Sequence, residues 1–194
     1  MLLKSRIFCG GFSLIELSVA LVIVCVLLAL GAPAFSGYLQ NARLGALAQS
    51  FYGGLQTART EAVKNNQNVE FALTNSSLET TTADSIVLDS TGHNWWVRLP
   101  SSASAPASGI ESKSTNAGEL GSIAIAASGP SFIFNGLGAA TVPATTGIAL
   151  SNPVLGLCAP AGPVRCWNIV VSPGGQIRVC SPDPTLPAGD SRAC

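Results

Sequence analysis

Gly11-Phe12-Ser13-Leu14-Ile15-Glu16 opens the apolar run that decides how this chain is built, and the run continues to Leu30. The residues up to Gly11 carry Lys4 and Arg6, and behind Glu16 no charged residue occurs before Arg43. A bilayer span needs ~20 apolar residues, so this stretch is long enough to cross a membrane, and the rest of the chain is built outside it. Glu16 is the exception inside the run. An unpaired carboxylate at mid-bilayer costs about 3 kcal/mol, so an acid in such a helix marks a function. No partner lies nearby in sequence. Glu16 is the fifth residue counted from Phe12. A cut after Gly11 would therefore create an α-amino group which, on a neighbouring subunit, neutralises Glu16 when the helices pack side by side.

These features in this order closely resemble a type IV prepilin signal: a short basic leader, Gly11 at the cut, Phe12 as the new N-terminus, Glu16, then an unbroken apolar helix. The resemblance implies a dedicated prepilin peptidase that cleaves after Gly11 and N-methylates Phe12, and other pilins as partners through the helix. Two plainer readings fit less well. An ordinary secretory signal ending near Ala32-Pro33-Ala34 would need an apolar region of ~7–15 residues without an acid. A lipoprotein signal needs a small residue where Phe8 precedes Cys9.

The chain has 194 residues, only 10% of them charged, and a formal net charge of zero. Losing Lys4 and Arg6 with the leader leaves the mature chain slightly acidic, so no global attraction to nucleic acid follows and any such role needs a local patch. One soluble domain of ordinary size is expected behind the helix. Four of the six cysteines, Cys158, Cys166, Cys180 and Cys194, crowd the C-terminal end, without C-x-x-C pairs and with the only histidine, His93, far off. Disulfides are favoured over zinc, and with them an oxidising compartment such as the periplasm. Four cysteines allow three connectivities. The expected one joins Cys158 with Cys166 and Cys180 with Cys194, each closing a short Pro- and Gly-rich loop worth ~2–3 kcal/mol. Cys9 leaves with the leader, and Cys25 sits in the membrane helix as a small apolar residue.

Beyond Leu30, Gly31 and Pro33 kink the helix rather than end it, because helical patterning resumes. Leu39, Ala42, Leu47, Phe51, Leu55, Ala58 and Ala62 recur at three- and four-residue steps and form an apolar stripe against the globular part. Gly53-Gly54 weakens the middle of this half by about 1 kcal/mol per glycine, and Asn65-Asn66 ends it. The segment Ala58-Arg59-Thr60-Glu61-Ala62-Val63-Lys64-Asn65-Asn66 resembles the helix end of the GspH/FimT family, which joins minor pilins of type IV pili to a minor pseudopilin of type II secretion. Taken singly, Arg59, Glu61 and Lys64 read as a solvated helix face.

Short β-branched or aromatic runs follow at 69–73, 86–88, 95–99, 123–125, 131–134, 147–150, 167–171 and 176–180, with Ser172-Pro173-Gly174-Gly175 as a hairpin turn between the last two. Phe132-Ile133-Phe134-Asn135-Gly136-Leu137-Gly138 is similar to a segment of FimT-like chains. Residues 74–85 and 100–120 read as long loops. Trp95 and Trp96 face opposite sides of a strand, which makes one of them core. No G-x-S-x-G, metal-spaced cluster or phosphate loop is present, so no enzyme, no metal and no cofactor is expected.

The sharper expectation concerns the final hairpin. The resemblance to FimT-like minor pilins of transformable bacteria implies DNA binding through a Gly-Arg-x-Arg element beside a disulfide-closed tail. The matching positions here are Gly175, Gln176, Ile177 and Arg178, with glutamine in place of the first arginine. Gln176 hydrogen-bonds a phosphate or a base edge but releases no counterion, whereas each arginine–phosphate contact contributes about 0.9 to the salt slope. From Cys158 onward, Arg165, Arg178 and Arg192 stand against Asp183 and Asp190, a surplus of one positive charge.

The expected fold is α+β and pilin-like: a leader at 1–11, an N-terminal helix at 12–66 with its transmembrane part at 12–35, and a mainly antiparallel β-rich domain at 67–194 tied by disulfides at its C-terminus. The expected function is that of a minor pilin, held in the inner membrane with a periplasmic domain until it enters a type IV pilus. Non-specific DNA uptake is an added role, and a type II secretion pseudopilin is the alternative.

Overall fold

The computed structural model describes residues 11, 13–115, 123–141, 146–151, 165–187 and 189–194. Its residues fall into two compact units, Met1–Tyr38 and Leu39–Cys194. One helix, α1 (Leu14–Asn65), supplies residues to both and runs without a break through Pro33.

In the first unit the helix carries its apolar side chains outward on every side. Leu14 is 86% exposed, and Ile15, Leu17, Val22, Leu27 and Leu28 are all more than half exposed. The described side chains of this apolar run cover 14–29, short of the span expected at 12–35, so among the described residues no helix is long and apolar enough to cross a membrane.

In the second unit α1 becomes one-sided. Leu44, Leu47, Ala48, Phe51, Leu55, Ala58 and Ala62 are buried at three- and four-residue steps, the spacing that puts them on one face. The stripe starts later than the sequence pattern predicts: Leu39 and Ala42 are exposed, and Leu44 and Ala48 are core instead, because the core cluster begins only at Leu44. The helix ends where Asn65-Asn66 predicts. Asn66 adopts the left-handed conformation at φ 48°, its N–H donates to Val63 O at 3.3 Å and the Gln67 N–H donates to Ala62 O at 3.2 Å. These are the two bonds of a Schellman cap, and asparagine tolerates the left-handed state they need.

Among the described residues eight strands form two four-stranded sheets. The first contains β1 (Val69–Thr74), β2 (Asn94–Leu99), β3 (Ser108–Lys113) and β5 (Ser131–Phe134) in the order β3-β2-β1-β5. The second contains β4 (Ala124–Ala127), β6 (Thr146–Ser151), β7 (Trp167–Val171) and β8 (Ile177–Cys180) in the order β4-β6-β7-β8. Every pairing between these strands is antiparallel. Alternate residues of both sheets meet the helix in one core: Phe71, Leu73, Trp95, Val97, Phe132 and Phe134 from the first, Ile148, Leu150, Ile169 and Val171 from the second. Side chains of this size stabilise by about 1.5–3 kcal/mol each when fully buried. Phe71 is the centre, with Phe51 edge-on at 6.3 Å, Trp95 at 5.6 Å and Phe132 at 6.3 Å. Gly54 explains itself here: a Cβ at that position would lie 2.6 Å from the Phe71 ring.

Two stretches depart from the sequence reading. The supposed loop at 100–120 contains β3, whose six residues are all exposed. Ser-Gly-Ile-Glu-Ser-Lys has little intrinsic strand preference; pairing with β2 makes it a strand. The run at 86–88 yields only one bridge, Thr74 with Leu88. It belongs instead to a segment laid over the outer face of the first sheet, with Ala83 and Ile86 buried. A buried ion pair holds it there. Arg98 Nε donates to Glu70 Oε2 at 2.8 Å between directly opposed residues of β2 and β1, and Arg98 Nη1 donates to Ala83 O. Of the adjacent tryptophans, Trp95 is core and donates Nε1–H to Ser50 Oγ at 3.0 Å, while Trp96 lies half-buried on the outer face.

Candidate functional site

The assembly candidate is Glu16. It lies in the first turn of α1, in a shallow groove lined by Ile15, Val19, Ala20 and Ile23. Among the described residues it has no ion-pair partner. A carboxylate surrounded by exposed leucine, isoleucine and valine is what a side-by-side helix contact with a buried counter-charge requires. Gly11 is exposed. Phe12, the residue on the other side of the expected cut, lies outside the described residues.

At the far end of α1 the two sheets and the helix meet through two tight turns. The turn after β5 is organised by Asn135, whose Oδ1 accepts the N–H groups of Leu137 and Ala139, both at 3.0 Å. Gly138, at φ 76°, donates its N–H to Asn135 O at 2.8 Å. The turn between β7 and β8 is closed by Gly175 N–H to Ser172 O at 2.8 Å and Ser172 N–H to Gln176 O at 2.9 Å. The turns lock together. Ala140 N–H donates to Pro173 O at 3.1 Å, and a Cβ on Gly175 would stand 1.7 Å from the Gly138 carbonyl oxygen. Gly175 also has φ 77°, where a side chain is strained in any case. The first position of the Gly-Arg-x-Arg-like element is thus a packing glycine. Arg59 reaches over this junction, with its Nε 3.3 Å from the Cβ positions of both Gly138 and Gly175. Its helix neighbours behave as a solvated face predicts: Lys64 Nζ pairs with Glu61 at 3.1 Å, and that hydrogen bond holds the Glu61 carboxyl below its ordinary pKa.

The DNA-binding candidates are dispersed. Gln176, just ahead of β8, and Arg178, on it, are exposed, with Ile177 buried between them. Arg178 lies over the tail as its spacing from Cys180 predicts, its Nη2 donating to Cys194 O at 3.3 Å. Arg192 is spent on Asp190: Nη2 to Oδ2 at 2.7 Å and Nε to Oδ1 at 3.1 Å. Those bonds hold the Asp190 carboxyl down at about 2. Arg165 is exposed just before β7, with its main-chain N–H donating to Asn41 Oδ1 at 2.7 Å. Arg178 meets the tail, therefore, with Gln176 two residues ahead of it, while the charge of Arg192 is matched by a neighbour.

The tail is closed by the disulfide Cys180–Cys194, with Cα atoms 5.1 Å apart, a normal span for this bond. Ser181 and Ala193 pair beside it as a parallel bridge. Cys166 is also disulfide-bonded, and Cys158 lies outside the described residues. Cys25 is a free thiol. Among the described residues no cluster of histidine, cysteine and carboxylate side chains has the arrangement of a metal site. Sequence reasoning missed the glycine junction and the Glu70–Arg98 pair. Gly136-Leu137-Gly138 was the available signal for the first; the second left none, since an acid and a base far apart in sequence become partners only through strand register.

Residues 8–32 match the prokaryotic N-terminal methylation motif, and residues 47–175 match the family described as type II transport protein GspH. No curated protein sequence matches the chain significantly. Among solved structures, the type IV minor pilin FimU of Pseudomonas aeruginosa is similar, with 12% identity, coverage of 73% of this chain and 91% of that one, and a TM-score of 0.50. The minor pseudopilin EpsH from the type 2 secretion system of Vibrio cholerae has 13% identity, coverage of 72% and 97%, and a TM-score of 0.48. At such identities the FimU likeness is one of fold, and it agrees with the α+β arrangement described above. With the family match spanning most of the chain, from the buried half of α1 to the last hairpin, the protein belongs to the GspH family and is a minor pilin or pseudopilin subunit.

Proposed function

We propose that this chain is a minor pilin of a type IV pilus. It is made with a leader of residues 1–11, held in the inner membrane by the apolar half of α1, with the remainder in the periplasm. Prepilin peptidase cuts between Gly11 and Phe12 and methylates the new N-terminus. In the filament, Glu16 of one subunit pairs with the Phe12 amine of a neighbour. The observation that carries this reading is the exposed apolar helix with a lone carboxylate in its first turn. Such a surface is stable only against lipid or other helices, which are its two environments before and after assembly.

Replacing Glu16 by Ala tests the pairing. The variant is expected to reach the membrane at the normal level and to be at least about tenfold depleted from sheared filaments, since the new amine would be buried without a counter-charge. Incorporation at the wild-type level would falsify it.

The match to GspH favours a second reading, a minor pseudopilin of a type II secretion pseudopilus, built and processed in the same way. Deleting the genes of each machine in turn, and following which deletion leaves the chain stranded in the membrane, separates the two. DNA capture is a finer role on either reading and would rest on Arg178 and Arg165, since Arg192 is matched by Asp190.

A further inference from the structure

Leu137 is 87% exposed, yet it sits in a turn whose backbone is held by several hydrogen bonds. Its own N–H and that of Ala139 are bound by Asn135 Oδ1. Asn135 N–H donates to Ala139 O at 3.0 Å and Gly138 N–H to Asn135 O at 2.8 Å, so the turn is closed from both ends. The flanking residues are glycines that nothing else can replace: a Cβ on Gly136 would lie 2.4 Å from Asn66 Oδ1, and Gly138 has φ 76° with Val63 at 3.0 Å. A floppy exposed leucine has no meaning by itself, because scattered apolar residues are normal on surfaces. One carried on a fixed backbone has only its side-chain rotamers left to order on docking, which lowers the cost of using it as an anchor.

The next residue, Gly138, abuts Val63 and Arg59, two of the residues that line a cleft on the solvent side of α1 with Gln56, Thr60 and Lys64. Val63 is 51% exposed, and its Cγ2 lies 3.0 Å from the Cβ position of Gly138, the residue after Leu137. Arg59 is half-buried over Gly138 and Gly175, and among the described residues no carboxylate is within ion-pair distance of it. Lys64, by contrast, is paired with Glu61. The cleft thus offers one uncompensated, planar cation, and Gly138, which abuts both Arg59 and Val63, is the chain neighbour of the exposed Leu137. Guanidinium groups bind carboxylates bidentately, and a half-buried one does so with less solvent competition.

We infer that Leu137, Val63 and Arg59 form a docking surface for a neighbouring subunit of the filament, whose complementary face is an apolar socket rimmed by a carboxylate. This deepens the proposed function and rests on it. The helix contact at Glu16 brings subunits together; the Leu137–Arg59 surface selects which subunit sits on this end of the domain.

The experiment uses the full-length chain in its own cells, in a Cys25→Ala background. Leu137→Cys is probed with a membrane-impermeant maleimide in the membrane pool and in sheared filaments, and Leu137→Ser and Arg59→Gln are measured for incorporation. Leu137→Cys is expected to label readily before assembly and to be protected in filaments. Leu137→Ser and Arg59→Gln are expected to be depleted from filaments about tenfold or more, with membrane levels and melting temperature unchanged. Equal labelling in both pools, or normal incorporation of Leu137→Ser while Glu16→Ala stays excluded, overturns the docking surface and leaves the pilin reading intact. Normal incorporation of Glu16→Ala instead overturns that reading. Depletion accompanied by a matching fall in melting temperature assigns Leu137 and Arg59 to folding and also overturns the docking surface.

Discussion

Gly53 and Gly54 are neighbours in α1 with opposite reasons to be there. A Cβ on Gly53 would meet nothing within 4 Å, whereas one on Gly54 would enter the Phe71 and Trp95 rings. Gly53→Ala is expected to raise stability by about 0.5–1 kcal/mol through the lower entropy of the unfolded chain. Gly54→Ala is expected to lower it by about 1–3 kcal/mol through overpacking. Denaturant melts of the two variants check both signs, and a stabilising Gly54→Ala would contradict the packing of Phe71. Asp190 gives a pH prediction at the same scale. Its carboxyl is held at about 2 in the folded chain, against an ordinary 3.8, by the hydrogen bonds from Arg192. A depressed carboxyl stabilises above its unfolded value and ceases to do so as pH falls through the folded one. Tail order reported by Arg192 side-chain NMR signals is therefore expected to be constant above pH 4 and to fade between about 3.8 and 2. Loss near neutral pH would remove Asp190 from the account.

Among the elements, the C-terminal tail is held most sparsely. β8 is an edge strand, and beyond it the described residues return through the bridge of Ser181 to Ala193, the hydrogen bond of Arg178 to Cys194 O and the disulfide of Cys180 with Cys194, fourteen residues apart in sequence. A loop of that length contributes about 3 kcal/mol in the chain-entropy model. Cys194→Ser is expected to lower stability by roughly 2–4 kcal/mol and to expose the tail to limited proteolysis while the two sheets keep their pairing. Protease mapping together with far-UV circular dichroism reads both. At the other edge, β3 shows why element prediction failed there: its residues are exposed and weakly strand-forming, and their conformation is imposed by hydrogen bonds to β2. The helix was legible throughout because a stripe recurring at three and four residues is a property of sequence alone, although its first two expected members proved to lie ahead of the core.

For the whole molecule, the charge distribution sets expectations for nucleic acid. Net charge is zero, Arg192 is paired, and Arg178 stands over the tail with Gln176 beside it. Full-length protein in neutral detergent is expected to bind duplex DNA only weakly at low salt, and Gln176→Arg to steepen the salt dependence by about 0.9 in log–log slope. A filter-binding titration against salt measures it; an unchanged slope would show that β8 does not face the DNA.

The N-terminal signal, the antiparallel β character and the disulfide-closed tail were all decided by sequence, because each rests on local composition or on spacing along one element. Tertiary structure alone decided the opposition of Glu70 and Arg98, the locking of Gly138 under Gly175, and the isolation of Arg59 beside an exposed Leu137. Those relations depend on register and on turns from distant parts of the chain meeting at one helix end, and no local pattern encodes which turn a helix will meet.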